Sequence, residues 1–230
     1  EILLKPSFFS LESYRWEIVN ESDISITSED IHIEQFELSR EGQNIKMNGC
    51  LSENDFDQLY VYTRNVDVAE ISSILGLERS LEGLLSGWSV FSNPYSNFNY
   101  IGDLSLKQFH LAKESIGDVW LRTGWNNELN AVELRGELKV DNHKTFNILG
   151  SYFVKRKDLD LALLFDNTDV SFLNALVDPD VINDISGDLD GLLEVHGPWN
   201  APIIQGSLSL DEVHAKVELL GVDYYLDGVI

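Results

Sequence analysis

Cysteine is nearly absent. Cys50 stands alone among 230 residues, which excludes an internal disulfide and any multi-cysteine metal site. Basic residues are also scarce: 16 Lys and Arg face 39 Asp and Glu, a formal net charge of -23. A surface of that sign repels phosphates and anionic headgroups, so nucleic-acid binding and docking through a basic patch are excluded classes. No apolar run approaches the ~18 residues that a membrane-spanning helix needs. The familiar catalytic signatures are missing as well. There is no G-x-S-x-G, no H-E-x-x-H, no P-loop and no G-x-G-x-x-G, so neither an enzyme nor a cofactor is expected. The chain opens on "EILLKPSFF" without a Met and stops at "YYLDGVI" in the middle of an alternating run. It reads as a segment of something longer.

What is present is alternation. "DISITS" (Ile24, Ile26), "NIKMNG" (Ile45, Met47), "QLYVYT" (Leu59, Val61), "VELRGELKV" (Val132, Leu134, Leu138, Val140) and "LDLALLF" (Leu161, Leu163, Phe165) all place apolar residues two apart. Polar or Gly-bearing turns separate these runs: "REGQN", "ENDFD", "GWNNELN", "VDNHK" and "VKRKD". The pattern predicts an all-β chain of antiparallel meanders. Two stretches depart from it. After Asn65 and Asp67, and again after Asn167 and Asp169, apolar residues recur at helical spacing (Val68, Ile71, Ile74, Leu75; Val170, Leu173, Leu176, Val177). Both predict short amphipathic helices capped by those Asn and Asp residues.

Three strands share one irregularity. In "IHIEQFELS" (Ile31, Ile33, Phe36, Leu38), "LSLKQFHLA" (Leu104, Leu106, Phe109, Leu111) and "LSLDEVHAK" (Leu208, Leu210, Val213, Ala215), the apolar spacing skips from two to three. One extra residue in an alternating strand is a β-bulge, which keeps apolar residues on one side while the strand bends and twists. Repeated bulges would curl a sheet along its length. They belong to a longer repeat: "LYVYTRNVDV" and "LALLFDNTDV" lie 102 residues apart, and "LEGLL" and "LDGLL" 108 apart. We read one continuous repetitive domain over 1–230, with units at about 31–103 and 104–207 and a third beginning at 208. The second unit is the longer, and "GDVWLRTGWNNELNAVELRGELKV" fits an inserted hairpin.

Polar residues offer little converging chemistry. "DPDVINDISGDLDG" is rich in Asp, but aligning Gly191 to the glycine of an EF-hand puts Ser186 and Gly197 where that loop needs acids. Only an irregular calcium loop through Asp184, Asp188 and Asp190 remains, beside the ordinary reading of turn and capping aspartates. His32, His110 and His214 fall between apolar residues and are expected on a polar face, too dispersed for a metal. Trp88, Trp120, Trp125 and Trp199 are candidates for a carbohydrate platform, or else fill a core or groove wall.

The layout of Gly187, Leu189, Gly191, Leu193, Gly197, Pro198, Pro202, Gly206, Leu208 and Leu210, with an earlier copy in Leu81, Gly83, Leu85, Pro94 and Gly102, resembles the TamB family. These are AsmA-like, inner-membrane-anchored periplasmic proteins, of which this chain would be a middle or C-terminal fragment. The resemblance implies an elongated, curled antiparallel sheet, a β-taco half-pipe with bulged strands and two short helices, whose concave face is apolar. It implies lipid transport between inner and outer membranes, assembly or secretion of outer-membrane proteins, and a BamA/TamA-like barrel partner. Phospholipid acyl chains would occupy a groove lined by Ile31, Ile33, Phe36, Leu38, Leu59, Val61, Leu104, Leu106, Phe109, Leu161, Leu163, Leu208, Leu210 and Val213. The remainder of the parent chain would pair with the strand edges. The competing expectation is a closed β-sandwich or repeat module that binds a glycan or a surface protein.

Overall fold

Strands that alternate along their length must pair edge to edge, and here they do so almost in chain order. The computed structural model describes residues 2–11, 14–74, 81–94, 98–111, 114–140, 143–175 and 177–230. Among these, the strands are β1 (Ile2–Leu4), β2 (Ser7–Leu11), β3 (Tyr14–Ile18), β4 (Ser22–Ile26), β5 (Ile31–Arg40), β6 (Gln43–Leu51), β7 (Gln58–Asp67), β8 (Leu81–Ser92) and β9 (Asn99–Leu111). They continue as β10 (Glu114–Asn126), β11 (Ala131–Val140), β12 (His143–Phe153), β13 (Asp158–Asp169), β14 (Ile182–Pro198), β15 (Ile203–Val217) and β16 (Val222–Val229). All sixteen belong to one antiparallel sheet that does not close into a barrel. Its order is β1-β4 and then β5 through β16 in sequence, with the β2–β3 hairpin joined to β5 through β3. The edge of β5 is shared: β4 pairs with Ile31–Glu34, and β3 with Leu38 and Ser39 beyond the bulge. "GDVWLRTGWNNELNAVELRGELKV" forms the greater part of the adjacent β10 and β11.

Two compact units make up the chain. One comprises Glu1–Asp67, Leu84–Ser105 and Leu121–Val132; the other comprises Val68–Gly83, Leu106–Trp120 and Glu133–Ile230.

The skipped spacing is a bulge. Register shifts fall between Ile33 and Phe36 on β5 and between Leu210 and Val213 on β15. Gln35, Gln108 and Glu212, the residues just before Phe36, Phe109 and Val213, all have left-handed backbones (φ 54°, 52° and 47°). A bulge residue's N–H leaves the ladder and needs another acceptor. The N–H of Gln35 donates to Asn48 Oδ1 at 3.1 Å, and that of Gln108 to Asp118 Oδ1 at 2.8 Å, each acceptor lying on the following strand.

Asn65 and Asn167 use the same device, contrary to the expectation that they cap helices. Both are left-handed (φ 50° and 43°) at register shifts in β7 and β13. Their N–H groups donate to Ser86 Oγ (2.8 Å) and Asp190 Oδ1 (2.7 Å) on the next strand. The first predicted helix is present as α1 (Val68–Ile74). The second is a 3-10 segment, Val170–Ala175. Asp169 receives the Ser171 N–H at its start, and Asn174 is tied to the backbone of Ile185 by two hydrogen bonds (2.8 and 3.0 Å). Beyond it the Val177 N–H donates to the Leu173 carbonyl at 3.2 Å. Leu75 and Leu176, expected on these helices, lie outside the described residues.

Candidate functional site

Directly opposed residues in an antiparallel pair share a face, so the registers assign every side chain to one side of the sheet. In the first unit, one row across β4–β8 reads Ile24, Ile33, Gly49, Leu59, Phe91. The next rows read Phe36, Met47, Val61, Ser89 and Leu38, Ile45, Thr63, Gly87, with Ile18 opposite Leu38. No charged residue interrupts these rows. In the second unit the rows across β12–β15 are Ile148, Leu163, Leu193, Gly206; Gly150, Leu161, Val195, Ile204; and Phe146, Phe165, Gly191, Leu208. Again none is charged.

This apolar face is only partly covered. In the first unit Leu59 is buried at 8% exposure, yet Ile31, Ile33, Phe36, Leu38, Ile45, Met47, Val61 and Phe91 are half-buried and Ile26 is 65% exposed. Among the described residues no second sheet exists to cover the face. In the second unit the 3-10 segment lies on part of it. Val170, Leu173 and Val177 pack with Ile185, Leu189, Leu210 and Val213. Phe172 joins Ile116, Leu138, Phe109 and Phe146. Leu161, Leu163 and Leu193 stay half-buried outside both clusters, and Ile204 is 60% exposed.

The expected lining residues therefore divide into groups. Ile31, Ile33, Phe36, Leu38, Leu59 and Val61 come together on one face of the first unit, and Leu161, Leu163 and Leu208 on one face of the second. Leu210 and Val213 are covered by the chain's own 3-10 segment, Leu208 packs against that same cluster, and Phe109 is packed in the second cluster. Leu104 and Leu106 are half-buried on β9; the backbone of Leu104 runs against Gly87 and the side chain of Leu106 against Gly83. Ile18, Phe91, Ile148, Leu193 and Val195 complete the face. Their alternation was visible in the sequence, but their side of the sheet follows only from register.

The opposite face is mixed: most of its residues are polar, but Tyr62 stands opposite Trp88 and Leu164 opposite Leu192. His32 stands opposite Ser25 and Cys50. Burial raises the Cys50 thiol above its ordinary value, and the carboxylates of Asp57 and Asp30 push it further up. His214 sits between the carbonyl of Asp184 (3.0 Å) and Asp223 Oδ1 (3.1 Å), stacked on Tyr225. Partial burial pushes the Glu37 carboxyl up, but hydrogen bonds from Asn44, Lys46 and Asn20 outweigh it and hold Glu37 below the usual carboxylate range. Asp184, Asp188 and Asp190 lie within β14 rather than in a loop, and Asp190 is occupied by the Asn167 N–H. Among the described residues, no three His, Cys, Asp or Glu side chains are placed to hold a metal ion.

Asp188 stands directly opposite both Asp169 and Asp211. Burial first, then the charges of Asp169, Asp211 and Asp190, raise its carboxyl above the ordinary value. A raised acid binds its proton more tightly in the folded chain. Its contribution to stability is therefore lost as pH rises through the interval between the unfolded value and the raised one. Asp188→Asn is expected to stabilise the chain by about 1 kcal/mol at neutral pH, since like charges directly opposed cost up to about that much. Thermal unfolding should show a rise of about 2–4 °C. The difference should vanish below the ordinary aspartate range.

No helix among the described residues is long and apolar enough to cross a membrane. No family model, curated protein or solved structure matches the chain. The class defined by fold and site is an open, all-β antiparallel sheet with uncharged apolar rows on one face.

Proposed function

We propose that the chain is a non-catalytic, TamB-like module whose apolar face takes up phospholipid acyl chains for transport between membranes. In this reading the parent protein is anchored in the inner membrane and spans the periplasm. A BamA/TamA-like barrel protein and the rest of the parent chain engage its strand edges. One observation carries the proposal: uncharged apolar rows run across neighbouring strands, and most of their large side chains are only half-buried. Each such side chain left in water forgoes part of the about 1.5–3 kcal/mol that full burial contributes. Contiguous apolar surface of this kind is ordinarily occupied, and an alternating strand offers acyl chains one greasy side while the other stays wet.

The test is native mass spectrometry and lipid extraction of the chain purified without detergent, combined with a photo-crosslinker at Val61 or Leu163. Phospholipid should co-purify, and both positions should crosslink to acyl chains. A lipid-free chain that fails to crosslink after incubation with phospholipid vesicles would overturn the reading.

A further inference from the structure

One end of the second unit locally reverses the sign of the molecule. Lys155, Arg156 and Lys157 are consecutive, the one place where basic residues adjoin in the sequence, within a chain of net charge -23. They fill the turn between β12 and β13 and are all exposed, as is Val154 before them. The turn has a defined shape. The Lys157 N–H donates to the Phe153 carbonyl at 2.8 Å, and Lys157 is left-handed (φ 57°). The turn between β14 and β15 lies alongside: Asp158 stands opposite Pro198, and the Trp199 N–H donates to the Lys157 carbonyl at 2.9 Å. Trp199 is 60% exposed there, and Ile203 and Ile204 are exposed just beyond it.

Charge and apolar tips together select the partner. On the four strands that lead to these turns, β12 carries no acid and the first on β15 is Asp211. Asp158 lies 3.5 Å from Arg156, whose guanidinium also sits over the Phe153 ring at 4.2 Å. Asp160 and Glu194 both face His196, at 3.1 and 3.8 Å. Among the described residues no ion pair engages Lys155 or Lys157. The net charge disfavours anionic headgroups for the molecule as a whole, but at physiological ionic strength the Debye length is about 8 Å, so remote acids are screened at the turns. A soluble acidic partner would use the cations and leave the Trp and Ile side chains in water. A bilayer surface uses both: anionic headgroups attract Lys and Arg, while Trp sits at headgroup level with its apolar body inward.

We propose that turn 154–157 and Trp199 form a docking edge for a bilayer surface that carries anionic phospholipid headgroups. Lys155 and Lys157 meet the headgroups, and Val154 and Trp199 enter the interface. This contact goes beyond the acyl reading and needs no lipid on the apolar rows.

Cosedimentation of the whole chain with phosphatidylcholine vesicles, with and without phosphatidylglycerol, tests this. Binding should require phosphatidylglycerol and weaken as salt is raised. Lys155→Gln combined with Lys157→Gln should lower partitioning about twentyfold, since each cation at such a surface contributes about fivefold. Lys155→Arg combined with Lys157→Arg keeps both charges and should bind as the parent does, which guards against misfolding. Trp199→Ala should cost about fivefold or more. Lys5→Gln, at an exposed cation of the first unit, should change nothing, and Leu163→Asp should dock like the parent. The proposal is overturned if the folded chain ignores phosphatidylglycerol, or if either the double Gln variant or Trp199→Ala binds undiminished. It is equally overturned if Leu163→Asp abolishes vesicle binding, since the apolar rows would then be the surface that meets the bilayer.

Discussion

Val61→Asp and Leu163→Asp should each empty the chain of bound acyl chains while its strand content persists. Both residues are half-buried on the apolar face, and neither belongs to the two buried clusters. Fold stability therefore leans on them little, whereas an acyl chain lying over the rows would meet a carboxylate with no partner. Loss of one apolar contact is worth about 1.5–3 kcal/mol, and an unpaired charge facing hydrocarbon adds to it. A fall in bound lipid of about ten- to a hundredfold is expected, read by lipid extraction alongside circular dichroism. His32→Asp introduces the same group on the opposite face and should retain the parent's lipid. If Val61→Asp and Leu163→Asp keep their lipid, the apolar rows are not the acyl surface.

Gly206→Ala should cost about 3 kcal/mol, among the larger single-residue losses this sheet can suffer. Gly206 faces the apolar side opposite Leu193, with φ +152°, and an added Cβ would run into the carbonyl oxygen of Leu192 on β14. Backbone lies in the way, so no side chain can swing aside to relieve the clash. Gly150 is built alike (φ +146°, against the carbonyl of Asp160), and Gly150→Ala should behave similarly. Gly124→Ala is the control: nothing lies within 4 Å of its added Cβ, and a change within about 0.5 kcal/mol is expected. Urea unfolding midpoints would separate the three.

Legibility in the sequence followed physical scale. Alternation and the skip of three are local, and they located the bulges at Gln35, Gln108 and Glu212 before any strand was paired. Asn65 and Asn167 misled, because an Asn ahead of helically spaced apolar residues is as suited to a cap as to a left-handed bulge. Only the partner strand decides, through Ser86 or Asp190. The candidate apolar face was half legible. Leu59 and Val61 announced a buried side, but that Phe91 and Ile148 extend it depends on register. That the 3-10 segment lays Val170 and Phe172 over Leu210 and Phe109 depends on tertiary packing, which no periodicity encodes.

The polar acceptors at the bulges have a consequence for how the strands find their alignment. In a uniformly alternating sheet, sliding one strand by two residues returns every greasy side chain to its own side, so hydrophobicity alone is blind to that error. Here a two-residue slide would strand the kinked amide away from its Asn48, Asp118, Ser86 or Asp190 oxygen. These four contacts act as notches in an otherwise featureless ruler, each cut by the strand that follows in the chain. Synthesis from the N-terminus would then fix β6 on β5, β8 on β7, β10 on β9 and β14 on β13, each as it emerges.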